Sequence, residues 1–313
     1  MHRENRESLI SYIKEIKQIK EKNLQFNNIT LDDVNTAYIL NSLNRKHPNM
    51  NFHPSIVDKT ASLIEDTSSL NPRQHKRYII KTTAFGGVHF AAVNAFKDEK
   101  NNISLIVVDS SLGANISIPF DLHGYNKPNL KTLYIYTQIQ NSPGDCLLFS
   151  LHFLKKMYIY SRDFERLHKR IFANDISFTF EKNHIFSPKV CERNPKLYPS
   201  SDDDCEKYRV VLFNQAINLL PIGFFKHAHS LRPLEAYLDR HQDEQESRVN
   251  NYKKKDGTIG ETLLERYNRH STLRNEMNTR TNKPIERKYS ISIEEKRLRL
   301  AEAALKWLDE HGE

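Results

Sequence analysis

The stretch Thr132 to Tyr160, TLYIYTQIQNSPGDCLLFSLHFLKKMYIY, constrains this chain more than any other. An apolar run leads through a short polar turn to a cysteine and a second apolar run. Leu133, Ile135 and Ile139 suit a buried strand. Asn141, Ser142, Pro143 and Gly144 are turn residues. After Cys146, the residues Leu147, Phe149, Leu151, Phe153, Leu154, Met157 and Tyr158 continue at helical spacing without Gly or Pro. Cys146 therefore falls where a strand gives way to a helix. The N–H groups and positive dipole end of a helix start favour a thiolate. A cysteine in an apolar helix is also an ordinary small core residue. Position alone leaves both readings open.

Arg77–Thr83, Val88–Phe96 and Ile103–Val108 are short segments rich in Ile, Val, Tyr and Phe, which predicts strands. The polar DEKNN between the last two predicts a hairpin loop. Leu133–Ile139 makes a fourth strand. Helical patterns flank these strands over 6–26, from a Thr30/Asp33 capping box to His47–Pro48, and over 55–66, 162–173 and 203–220. Further helices begin at Arg232–Pro233 and cover 292–310. Residues 181–201, with Pro188, Pro195 and Pro199, read as a loop, and 240–290 is polar and patchy. The pattern is α+β, a central mostly antiparallel sheet with flanking helices.

The 313 residues are enough for one large domain or two small ones. No apolar run approaches a membrane span, and MHRENRESLI has neither the apolar centre of a signal peptide nor a myristoylation start. The net charge of +8 suits nucleic acid, acidic lipid or a polyphosphate. Aromatic residues lie in core-like segments and not among the basic runs, which disfavours nucleic acid. Cys146, Cys191 and Cys205 are widely spaced without a CxxC pair. That argues against a disulfide framework and, despite His184, against zinc.

A nucleophilic cysteine needs a base, usually a group that orients the base, and a donor for the developing oxyanion. His89, in GGVHF, starts one strand of the predicted hairpin, and Asp109, in IVVDSS, ends the other. A hairpin puts both at the same end. Gln140, six residues before Cys146, can offer an amide to an oxyanion. Each has a plainer reading: a structural histidine, a turn aspartate, a solvated amide. The catalytic reading rests on their order around one strand–helix unit.

The blocks HPNMNF (47–52), KRYIIKTTAFGGVHFAAV (76–93), ISLIVVDSS (103–111), IQNSPGDCLLFSLHFLKKMY (139–158) and LLPIGFFKHAHSLRPLEAYL (219–238) resemble the YopJ family of bacterial effector acyltransferases. The fold of that family is similar to that of adenain-type proteases of ubiquitin-like proteins. The resemblance implies a triad of His89 as base, Asp109 as orienting acid and Cys146 as nucleophile, with Gln140 at the oxyanion. Many members carry Glu where this chain has Asp109. It implies acetyl transfer from acetyl-CoA to Ser, Thr or Lys of host signalling proteins, activation by inositol hexakisphosphate, and type III secretion into the host cytoplasm. For the polyphosphate it points to Arg77, Lys81, Lys226, His227, Arg232, Arg269 and Lys288. Lys226 is either a phosphate ligand or a lysine that becomes acetylated. The corresponding organisation is an N-terminal secretion or flexible segment and helix (1–28), a catalytic core (29–240) and a basic regulatory region completing the helical layer (241–313). A cysteine peptidase of ubiquitin-like modifiers and a non-enzymatic basic binding protein are the alternatives.

Overall fold

The computed structural model describes residues 2–24, 27–82, 88–110, 117–142, 144–180, 201–278 and 283–311. Five strands form the main sheet in chain order: β1 (His75–Thr82), β2 (His89–Lys97), β3 (Ile103–Asp109), β4 (Leu130–Tyr136) and β5 (Val210–Val211). β1–β2 and β2–β3 pair antiparallel, as the hairpin pattern requires. β3–β4 and β4–β5 pair parallel, so the sheet is mixed where the sequence pattern suggested mostly antiparallel. The cause is connection length. Helix α4 (Ser117–His123) lies between β3 and β4, and α5 (Cys146–Ile159) and α6 (Ser161–Ala173) follow β4. Crossovers of this length permit parallel return, which a tight turn does not.

Both faces of the sheet are covered. Phe90, Ala92, Ile106, Val108, Leu133 and Ile135 pack into one core with α5, α6 and three further helices: α1 (His2–Glu21), α2 (Ile29–Lys46) and α11 (Ser292–His311). The alternate residues Ala91, Val93, Leu105, Val107 and Tyr134 pack on the other face towards α3 (Thr60–Ser68) and α4. Burial on both sides explains why these strands read as continuous apolar runs. α1 belongs to the first core through Leu9, Tyr12, Ile13 and Ile16. The sequence reading had given it to a segment of its own.

Local chemistry moves several boundaries. Asn28, and not Thr30, caps α2, its side chain accepting from Leu31 N at 3.1 Å. The predicted helix over 203–220 divides into α7 (Asp202–Tyr208), β5 and α8 (Phe213–Leu219). Arg209, at φ +53°, ends α7, and the fully buried β-branched Val210–Val211 joins the sheet edge instead. Helix α9 is Arg232–Arg240. The polar region 240–290 contains α10 (Leu263–His270), opened by a Thr262/Glu265 capping box, and a hairpin of β6 (Ser271–Asn278) and β7 (Lys283–Ser290). Little of that hairpin is apolar, so no alternation announced it. Cys191 and His184 lie outside the described residues, which contain no group of His, Cys, Asp and Glu able to hold a metal. No helix among them is long and apolar enough to cross a membrane.

Candidate active site

Ala92 pairs with Val108, so one step further Asp109 comes level with Ala91, diagonal to His89 on the same face. The short aspartate reaches. His89 Nε2 lies 2.8 Å from both Asp109 Oδ1 and Oδ2. Asp109 is 2% exposed and His89 25%, so the carboxylate is sealed while the ring keeps an open edge. Tyr134, beside Asp109 on the same sheet face, donates its hydroxyl to Oδ2 at 2.5 Å. Thr137 holds the Asp109 carbonyl through its N–H at 2.9 Å and its hydroxyl at 2.8 Å.

With Nε2–H given to the carboxylate, Nδ1 is left for the thiol. Cys146, first residue of α5 and 1% exposed, is near enough to the imidazole to favour its protonated form. Burial pushes the His89 pKa down, but the Asp109 charge and hydrogen bond, together with Cys146, hold it well above the ordinary imidazole value.

Gln140 is buried, with its carbonyl oxygen accepting from Ser110 Oγ at 2.6 Å and its Nε2 donating to the Ser142 carbonyl at 2.5 Å. Its amide is thus directed towards the turn before Cys146, with one N–H already engaged. His89 at the start of β2, Asp109 at the end of β3 and Gln140, whose backbone N–H donates to the Ser110 carbonyl at 3.0 Å, lie at one end of the sheet. Tyr134 was missed as a site residue, because in sequence it is only one more aromatic of a strand.

The cationic candidates separate. Arg77 is buried in β1 and donates to the Met50 carbonyl at 2.6 Å. Lys81 pairs with Asp33 at 2.6 Å and lines a different cavity, of about 670 Å³, with Asp58 and Tyr125. Arg232 is exposed at the start of α9, and exposed Lys288 donates to Asn268 at 3.1 Å. Lys226, by contrast, sits in a cluster that the sequence did not reveal: Lys155 and Lys156 of α5, Arg266 of α10, and Lys296 and Arg299 of α11. Burial first, then the charges of Lys156, Arg266, Lys155 and Arg299, depress the Lys226 pKa to about 6. Burial and Lys155 lower Lys156 to about 8. His227 lies buried at the base of the cluster, kept neutral by burial and by His152, Arg266, Lys296 and Lys226. A Cβ at Gly223 would come within 2.9 Å of Lys156 Nζ and 2.8 Å of the Tyr160 hydroxyl, so any larger residue would displace those two side-chain ends. Arg266 and Arg299 also line a cavity of about 610 Å³ with Lys20 and Arg269, the last paired to Glu261. Cations packed this closely create a field that attracts a multivalent anion.

A histidine–carboxylate pair near a thiol at a helix start has the groups that cysteine nucleophilic chemistry uses, and two lysines of the cationic cluster, Lys155 and Lys156, lie on the same helix α5. The sequence model of the family described as YopJ serine/threonine acetyltransferase matches residues 9–303. The chain belongs to that family. No curated protein matches it. Among solved structures it is similar to HopZ1a in complex with IP6 and CoA (18% identity, TM-score 0.70, 97% of this chain and 98% of that one). It is also similar to AvrA delL154 with IP6 and CoA (19% identity, TM-score 0.69, 96% and 98%). At such identities the likeness is one of fold.

Proposed function

We propose that this protein transfers acetyl from acetyl-CoA, through a Cys146 thioester, to Ser, Thr or Lys side chains of host signalling proteins, and that inositol hexakisphosphate activates it. The observation that carries this reading is His89 Nε2 at 2.8 Å from both Asp109 oxygens, with Cys146 acting on the same ring. As a family effector it would be delivered by type III secretion and act in the host cytoplasm.

The Cys146 thiolate attacks the thioester carbonyl carbon, the carbon–sulfur bond to CoA breaks, and CoA leaves as a thiol with the His89 proton. His89, now neutral, takes the proton of the acceptor hydroxyl or amine as that group attacks the acetyl-cysteine. The acetyl–Sγ bond breaks and the thiolate–imidazolium pair is restored. Asp109 stabilises the imidazolium at both proton-bearing stages. The Gln140 amide is the donor proposed for the oxyanion. The cluster around Lys226 and Lys156 would hold the polyphosphate, since its cations lack enough carboxylates of their own. Peptide hydrolysis needs no such cluster, which favours the transferase over the peptidase alternative.

Incubation with radiolabelled acetyl-CoA tests this. Label on the protein is expected, increased by inositol hexakisphosphate and absent from Cys146→Ala. No label under either condition, label that survives Cys146→Ala, or faster cleavage of a ubiquitin-type substrate would refute it. Tyr134→Phe removes one donor from a buried carboxylate. It should cost about 1.5–3 kcal/mol in urea unfolding, the worth of a hydrogen bond to a charged group. It should also slow transfer, because Asp109 is freer to turn from His89.

A further inference from the structure

Asp145 directly precedes Cys146 and is the N-cap residue of α5, yet its side chain caps no backbone N–H. It turns into the core to meet Arg297 of α11. Arg297 Nη2 donates to Asp145 Oδ1 at 2.7 Å and to the Gly144 carbonyl at 3.1 Å. The same guanidinium holds both oxygens of Asp32 on α2, Nε to Oδ1 at 3.0 Å and Nη2 to Oδ2 at 3.1 Å. Tyr12 of α1 donates to Asp32 in turn. Arg297 and Asp145 are fully buried and Asp32 is 1% exposed. The other Asp145 oxygen accepts from the Ser142 hydroxyl and faces His229 Nε2 at 3.6 Å, and His229 in turn holds the turn, its Nδ1 accepting from Asn141 N at 2.9 Å and its backbone N–H donating to the Ile139 carbonyl at 2.9 Å.

A buried triad of charges gains little stability, because desolvation offsets most of the attraction. Apolar side chains would pack α11 on α2 at least as well. What the guanidinium adds is direction. It fixes a backbone carbonyl and a carboxylate in the two residues immediately ahead of the thiol, and it anchors both to a helix more than a hundred residues away in sequence. A nucleophile misplaced by about 1 Å can lose 10²-fold in rate, so control of this turn is control of reactivity.

We propose that Arg297 is a positioning residue for Cys146: by holding Asp145 and Gly144 it aims the thiol at His89 and makes its reactivity depend on the α1–α2–α11 layer. The inference rests on the reading of Cys146 as the nucleophile. Its test is alkylation of the full chain by iodoacetamide across roughly pH 5 to 9. Modification of Cys146 and of buried Cys205, whose thiol burial pushes up to about 12, is followed separately by peptide mass. Arg297→Gln should slow alkylation of Cys146 by about 10- to 100-fold at neutral pH and change its pH profile, with Cys205 unaffected. Arg297→Lys keeps the charge without the fork and should recover only part of the rate. Asp32→Asn loosens the far anchor and should slow Cys146 a fewfold while circular dichroism stays unchanged.

Wild-type kinetics and pH profile in folded Arg297→Gln would overturn the proposal. If Arg297→Gln fails to fold, so that Cys205 reacts as fast as Cys146, Asp32→Asn decides: an unchanged Cys146 profile there overturns it too. A wild-type Cys146 no faster than Cys205 would instead overturn the nucleophile reading, and this inference with it.

Discussion

Replacing His89 by Asn should lower formation of acetyl-Cys146 by about 10³- to 10⁴-fold, the usual cost of losing a member of a nucleophile–base–acid unit. Single-turnover labelling with acetyl-CoA would show it. Asp109→Asn should approach the same loss and add a pH signature. The Asp109 charge favours the protonated ring and outweighs the burial that opposes it. Without that charge the His89 pKa falls, and the alkaline limb of the rate profile moves to lower pH. Asp109→Glu keeps the charge and should retain more activity than Asp109→Asn. A full rate in Asp109→Asn, or a limb that stays in place, would exclude the ion pair as the source of reactivity.

Inositol hexakisphosphate should raise the melting temperature by about 5–10 °C at a concentration a hundredfold above Kd, where binding contributes about 2.7 kcal/mol. The sign of its pH dependence follows from the lysines. In the free protein Lys226 titrates at about 6 and Lys156 at about 8, both far below an ordinary lysine. A bound polyanion raises both values, so protons are taken up on binding. Affinity should then be greatest near pH 6 and fall as pH rises through the bound-state values. Calorimetry in buffers of different ionisation enthalpy measures the uptake. Lys226→Met removes one of several like charges. It should stabilise the free protein and abolish most of the gain from the ligand. A variant that melts lower when free and gains as much from the ligand would place the polyanion elsewhere.

Much of the candidate site was legible because its signals are local. Val and Ile runs around DEKNN specify the β2–β3 hairpin, and a hairpin fixes which residues share an end. The distance from His89 to Asp109 then follows from register. The strand–turn–helix at Cys146 is read from periodicity alone. The cationic site was not legible in this way. Lys155, Lys226, Arg266 and Lys296 come from four helical or loop segments, and no spacing in the chain sets them side by side. Arg77 and Lys81, by contrast, stand close to the His89 strand in sequence but are committed to Met50 and Asp33.

By itself the sequence determined the first four strands, the β2–β3 hairpin and the thiol at the head of a helix, since turn chemistry and side-chain periodicity act over a few residues. Only the tertiary structure decided that the sheet turns parallel after β3, that Lys156, Lys226 and Lys296 are forced together until they lose much of their basicity, and that Arg297 reaches the turn before Cys146. Those are outcomes of burial between elements distant in the chain. The energies that fix them, desolvation and charge at close range, exist only once water has been excluded.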